Sequence, residues 1–342
     1  GYFRYFFGPL EMELGRNKVH YGPSRYSSLL LSQRLPFLDA LRLRLPLGPL
    51  EMTSLVSTLE NRSAAGDLDL ATLYGAAYPV DYDFVDNTII CTMHRFEYAF
   101  KRLRLGISGL SFITRPDNAF LLGDFFPVFS WHTADVGWHN LSMIGDVSLA
   151  PLPGLEVFAQ YGVDDISLRG LNIGDDPLPT IDAYIIGLSF DRRLLKASFS
   201  FYLEGGYTHY LWGNFHEEYA LSRAIYRYFM DRENQILPMT SPFGPGSRWI
   251  YGEIGWSNLN DVSASLFFQL IDKNTEANLI DTPYETSSAV ENAPRTTIMR
   301  LGLDIRYAFQ KALTVYMKPV LLYRDPVFWG ELTLGCTLQH RV

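Results

Sequence analysis

Residues 16–25 set Arg16, Lys18, His20, Tyr21 and Arg25 around a Gly22-Pro23 turn. Guanidinium forks pair with carboxylates, and an aromatic ring covers the apolar face of a pyranose, so this grouping suits an acidic sugar. The same residues also read as a constriction or plug in which Gly-Pro sets the backbone bend. A second grouping, Asp135, His139 and Ser142 with His132 nearby, offers the residue types of a hydrolytic triad. Its spacing argues against that use. His139 and Ser142 stand three apart, and an odd separation sends two side chains to opposite faces of one strand. No catalytic residue is assigned. Cys91 and Cys336 form no CxxC or Cys/His ligand spacing, so neither a metal, a cofactor nor a disulfide framework is signalled.

The elements that must carry these residues are strands. Leu41, Leu43, Leu45 and Leu47 alternate with Arg42, Arg44 and Pro46, which puts leucines on one face and arginines on the other. The pattern recurs where Leu103, Leu105 and Ile107 alternate with Arg102, Arg104 and Gly106. It recurs again where Leu301, Leu303 and Ile305 alternate with Gly302, Asp304 and Arg306. A soluble sandwich alternates as well, so the connections carry the decision. Short turns at Gly48-Pro49, Lys101-Arg102, 151–154, 191–194, 258–261 and 310–311 join strand-like runs, with long segments 60–87, 112–139, 164–182, 206–247 and 272–295 between the hairpins. Tight turns that alternate with long loops are the plan of outer-membrane barrels, with turns periplasmic and loops extracellular.

This pattern predicts one all-β domain over residues 1–342: a transmembrane, antiparallel, up-and-down β-barrel of about 16 strands, within 14 to 18. The first three strands are expected at 1–7, 9–15 and 26–33, and an even count places both chain ends on the turn side. Aromatics near strand ends, among them Trp131, Trp138, Tyr161, Tyr207, Tyr210, Trp212, Trp249, Trp256, Tyr323 and Trp329, are expected in interfacial girdles. Residues 219–234, with few breakers, predict a short helix at the extracellular mouth. Arg42, Arg44, Arg102, Arg104 and Arg306 are expected to face the lumen. There they meet acids such as Glu97, Asp146 and Asp304, either attracting anions or holding the barrel closed by mutual neutralisation.

Composition agrees. Hydrophobic residues make up 47% and charged residues 19%, lean in charge for a soluble protein, yet no apolar run reaches the length of a membrane-crossing helix. The net charge of −8, without a Lys/Arg block, argues against a nucleic-acid partner. With no initiator Met or apolar leader at its start, the chain is expected to be mature or truncated.

The text Glu13-Leu-Gly-Arg-Asn-Lys-Val-His-Tyr-Gly-Pro-Ser24, followed by Ser28-Leu-Leu-Leu-Ser32, resembles the Wzi-like capsule assembly family of outer-membrane proteins. Further likenesses are Tyr161-Gly-Val-Asp-Asp165 and Phe243-Gly-Pro-Gly-Ser-Arg248. The chain departs from that family at His20-Tyr21, where Trp is favoured, and at Ser24, which replaces a glycine. The resemblance implies a bacterial outer-membrane barrel, surrounded by lipid, that acts as a non-enzymatic lectin for capsular polysaccharide. Envelope proteins are possible further partners. The competing expectations are a porin-like solute channel and a structural subunit of an outer-membrane complex.

Overall fold

The computed structural model describes residues 1–31, 35–59, 89–114, 119–125, 138–165, 179–194, 196–214, 224–230, 233–258, 261–279, 288–309 and 313–338. The Trp131 position, the long segment 60–88 and most of 115–137 lie outside them. Fifteen strands form one sheet in which every neighbour is antiparallel and follows chain order. Glycine-bearing and other short turns close the hairpins β1 (Tyr2–Phe7) and β2 (Leu10–Asn17), β3 (Leu38–Leu47) and β4 (Leu50–Leu59), and β5 (Ile89–Phe100) and β6 (Leu103–Thr114). Antiparallel pairing likewise joins β7 (Trp138–Leu152) to β8 (Leu155–Asp165), β9 (Ile181–Leu194) to β10 (Ala197–Thr208), β13 (Ser247–Ser257) to β14 (Val262–Asn274), and β15 (Arg295–Phe309) to β16 (Leu313–Arg324). Strand β17 (Val327–Leu338) follows β16 through Asp325-Pro326. Gly8 and Gly48 adopt φ of 58° and 65°, the left-handed region in which a tight turn favours glycine.

One hydrophobic cluster shows how the sheet curls. Leu29, Leu30 and Leu31 pack with Leu55 of β4, Leu110 of β6, Phe158 of β8, Tyr202 of β10 and Tyr251 of β13. Side chains from strands so far apart in the sheet meet because it wraps, as a barrel, around the connection between β2 and β3. Residues 26–31 of the strand expected at 26–33 are therefore not a strand. Leu29, Leu30 and Leu31 are all fully buried in succession. A strand with one face to lipid would alternate instead. Burying three leucines stabilises this placement by roughly 1.5–3 kcal/mol each relative to exposure.

Losing that strand changes the topology. Gly1 lies beside the far end of β2, where its carbonyl accepts the Arg16 N–H at 3.0 Å, so Gly1 stands at the loop end and not at the turn end. β1 and β17, first and fifteenth in the order, run in the same direction. The expected helix over 219–234 is also absent from the described part of that segment. β11 (Ile225–Met230) pairs instead with β12 (Glu233–Pro238) in a separate two-stranded sheet. Ile225, Tyr226, Tyr228 and Phe229 are β-branched or aromatic, types that suit a pleated pair better than a helix once a partner run such as Ile236-Leu237 follows.

The outer wall is apolar and rimmed by rings. Tyr161, Tyr184 and Tyr207 occupy one register row across β8, β9 and β10, with the Tyr184 and Tyr207 rings 5.4 Å apart. Near the turn end, Phe199 sits opposite Trp256, and Tyr98, Tyr307 and Phe309 occupy the same outer face of other strands. Eight residues separate Phe199 from Tyr207, about 26 Å of strand, which at the usual tilt is about 20 Å of height. That matches an apolar band between two girdles. Three aromatics assigned to the girdles belong elsewhere: Tyr210, Trp212 and Trp249 point inward and are buried in the central cluster.

Candidate functional site

The inserted segment between β2 and β3, described over residues 18–31 and 35–37, descends from the loop end and turns at Gly22-Pro23. Its tip is held by one carboxylate. Glu204 of β10 accepts Ser24 Oγ at 2.7 Å, Ser27 Oγ at 2.6 Å and Trp249 Nε1 at 3.2 Å, and the Tyr202 hydroxyl donates to it as well. Each of these donors would be costly to bury alone, so the carboxylate and the segment hold each other in place. The Arg25 N–H donates to Tyr202 Oη at 2.8 Å, and Leu29 N–H donates to Gln160 Oε1 at 3.2 Å. The Tyr26 ring stacks on Tyr251 at 3.7 Å and 5°. Gly22 adopts φ of 91°, a backbone conformation that L side chains rarely take, with the Gln160 amide close against it.

The five expected ligand residues are not brought together. Arg16 ends β2 on the outer face, with its guanidinium 3.9 Å from the Phe37 ring centroid and paired with Asp39 at 2.7 Å. Lys18 follows it and is exposed at the loop-end rim, its N–H donating to Asn17 Oδ1 at 2.8 Å. His20 and Tyr21 lie inside the barrel. Desolvation there lowers the His20 imidazole below its ordinary value, against a backbone hydrogen bond at Ser24 and with Arg95 adding to the shift. Burial raises the Tyr21 phenol, beside Arg42. Arg25 reaches farthest toward the turn end and pairs with Asp191 at 2.9 Å. Both partners are about half exposed, so that pair adds at most about 1 kcal/mol. The segment itself stands at the loop end and folds inward, not on the periplasmic side that sixteen strands would require.

The inner wall carries ion pairs of both signs. Arg42 pairs with Glu13 at 3.0 Å, Arg44 with Glu51 at 2.6 Å, Arg104 with Glu156 at 3.3 Å and Arg306 with Asp304 at 2.8 Å. Arg102 does not join them. It lies in the β5–β6 turn, where Nη1 donates to the Pro151 carbonyl at 2.9 Å. Among the described residues the most enclosed cation is Arg95, which sequence reasoning missed. It contacts Asp146 at 2.5 Å, Glu97 at 2.9 Å and Ser108 Oγ at 3.0 Å. Its signal was the Arg95/Glu97 alternation beside Gly106, where a Cβ would stand 2.4 Å from Arg95 Nη2.

Below the inserted segment, toward the turn end, the inner wall leaves a polar cavity of about 490 Å³. Ser198, Ser200, Glu253, Asp304 and Lys318 line it, with the Tyr251 ring at its edge. Hydroxyls, one aromatic face and paired charges can hold a hydroxylated solute by hydrogen bonds and stacking. His139 and Ser142, three positions apart on β7, face opposite sides, and Ser142 Oγ donates to Asp164. Among the described residues no cluster of His, Cys, Asp or Glu could hold a metal ion.

No family model matches the chain, and no curated protein matches it in sequence. Among solved structures it is similar to a BenF-like porin from Pseudomonas fluorescens Pf-5, with TM-score 0.50 and 9% identity over 98% of this chain and 76% of that one. It is also similar to Wzi of Escherichia coli, an outer-membrane protein involved in group 1 capsule assembly and described as a carbohydrate-binding β-barrel. There the TM-score is 0.64 and the identity 14%, over 98% of this chain and 68% of that one. At such identities the likeness concerns architecture alone, and in architecture this chain is an outer-membrane-type β-barrel built like Wzi.

Proposed function

We propose that the chain resides in a bacterial outer membrane and binds surface polysaccharide as a non-enzymatic, lectin-like barrel. The observation that carries this reading is the chain segment held in the lumen: residues 20–31 enter the barrel and are fastened through Glu204 and the three buried leucines. A barrel occupied by its own chain is suited to holding a ligand rather than passing one. At the loop-end rim, the Arg16 guanidinium against Phe37, with Lys18 beside it, offers cations and a flat apolar face. Those are the features that an acidic sugar engages. Wzi, described as a carbohydrate-binding barrel, lends support by shared architecture.

Purified barrel in detergent, immobilised and exposed to capsular polysaccharide of its own organism, should retain the glycan. Arg16→Ala with Lys18→Ala should lose most of that retention while keeping heat-modifiable migration. Absence of binding by the parent barrel would remove the reading. The 490 Å³ cavity at the turn end favours a second reading, a porin-like channel for a small polar solute. Planar-bilayer recording separates the two: a filled barrel is silent, and steady conductance with ion preference supports the channel.

A further inference from the structure

A short piece of the β6–β7 connection lies on the outside of the barrel. Phe125 packs against Val56, Ile90 and Ile113, a hydrophobic cluster separate from the one in the lumen. These three residues belong to the outer face of β4, β5 and β6. Arg42 pairs with the inward Leu55, and Arg95 and Leu110 also point inward, so residues an odd number of positions from them on the same strand point out. On that outer face the wall is polar. Ser54, Thr92, His94 and Ser111 all point outward, yet are only 3–5% exposed. Residues 119–125 contribute to covering them: Ser54 Oγ donates to the Phe125 carbonyl at 2.8 Å, and His94 Nε2 lies 3.2 Å from the Asp124 carbonyl.

Depth follows from register. Ser54 pairs with His94, four positions from the girdle residue Tyr98, which is about 13 Å of strand and about 10 Å of height. That level is inside the apolar band. Irregular backbone at membrane depth requires its polar groups to be satisfied by protein. Here Leu121 N–H donates to Asp124 Oδ2 at 2.8 Å, while the Asp124 and Phe125 N–H groups donate back to the Leu121 and Leu122 carbonyls at 3.0 and 3.2 Å. The short 3-10 turn Leu122–Asp124 thus folds its polar atoms toward the wall and presents Phe120, Leu121 and Leu122 outward, Leu122 being 76% exposed. Beside Phe125 runs an apolar groove of about 300 Å³ lined by Leu10, Leu43, Leu45 and Met52, continuous with the outer wall.

We propose that residues 119–125 form a strap embedded in the bilayer, covering a polar patch of the outer wall, and that the groove beside it holds the acyl chain of a membrane phospholipid. Lipid is the occupant because the groove and the strap's exposed side chains continue the apolar band that faces hydrocarbon. The strap turns a section of wall that lipid would reject into one that lipid wets.

The test uses the full chain with Cys336→Ser, carrying single Leu122→Cys or Leu43→Cys labelled with a polarity-sensitive fluorophore, in phosphatidylcholine vesicles. Cys91 is fully buried and does not compete for label. Ile254→Cys, on the outer wall away from the strap, reports insertion. Phospholipid brominated at mid-chain should quench the Leu122 and Leu43 labels at least twofold, as it does Ile254, and aqueous iodide should quench them little. A Leu122 label quenched by iodide and not by bromine places the strap in water and overturns the proposal. A Leu43 label shielded from both means that protein fills the groove, which overturns the acyl site. If Ile254 also escapes bromine, the outer wall does not face lipid and the proposal falls with it.

Discussion

Ser27 Oγ donates to Glu204 Oε1 at 2.6 Å across 177 positions of sequence, so the fold of the lumen depends on a contact between a loop and a distant strand. Glu204→Leu leaves the hydroxyls of Ser24 and Ser27 and the Trp249 N–H without their acceptor, at about 1–3 kcal/mol for each donor that finds no new partner. The urea midpoint of the refolded barrel should fall accordingly, and planar-bilayer conductance should rise as the segment loosens. An unchanged midpoint together with silent bilayers would show that Glu204 does not hold the segment.

The side chains of Arg95 and Asp146 are 4% and 5% exposed at 2.5 Å, an enclosed pair whose charges have little access to water. Asp146→Ala leaves the guanidinium with Glu97 and the Ser108 hydroxyl alone and should cost about 3–5 kcal/mol. Arg102→Ala, at the turn-end surface, should stay within about 0.5 kcal/mol. Equal losses in chemical unfolding would mean that burial of the pair contributes nothing special.

The alternation of Leu and Arg in 41–47 made the strands legible, because period two is a local property of the chain and survives into the structure unchanged. What escaped was whatever depends on partners elsewhere. Leu29-Leu30-Leu31 looks like strand text, but three successive buried side chains need protein on every side, which only the far strands supply. Residues 225–230 pair with 233–238 through contacts that helix propensity does not register. The rim site was half legible: the Gly22-Pro23 bend was read correctly as a bend, but nothing local revealed that Arg16 faces outward while Tyr21 faces in. Nor could the Thr92–Arg95 run show that His94, and not Arg95, points to the outer wall.

His209, just beyond β10, accepts the Leu211 N–H through Nδ1 at 3.2 Å, which requires that nitrogen to be unprotonated. Desolvation lowers its imidazole below the ordinary value of 6.5, partly opposed by Asp182 and Glu291. A depressed folded value means that the unfolded chain binds the proton more readily. The stabilisation is therefore complete above about pH 6.5 and is lost progressively as pH falls toward the folded value. Thermal midpoints between pH 8 and pH 5 should decline more for the parent chain than for His209→Gln. Parallel curves would remove His209 from the account of acid sensitivity.

Depth on the outer wall separates two leucines that the sequence treats alike. Leu301 pairs with Phe268, four positions above the Trp256–Ala264 row, and is 47% exposed toward the apolar band. Leu105 pairs with Tyr98, a girdle residue, and so stands near the interface. Leu301→Arg puts a cation where lipid offers neither water nor a partner and should cost on the order of 2–4 kcal/mol, whereas Leu105→Arg should cost about 0–1 kcal/mol because its guanidinium can reach the headgroups. Ser265→Arg, on the inner wall opposite Asp304, should be tolerated through pairing with that carboxylate. Refolding into phosphatidylcholine vesicles, followed by heat-modifiable migration and urea titration, measures all three. The expected order of loss is Leu301 first, Leu105 well behind and Ser265 least. A reversed order, or a chain that stays monomeric in water without detergent, would contradict the assignment of the leucine face to lipid, and with it the depth on which the strap rests.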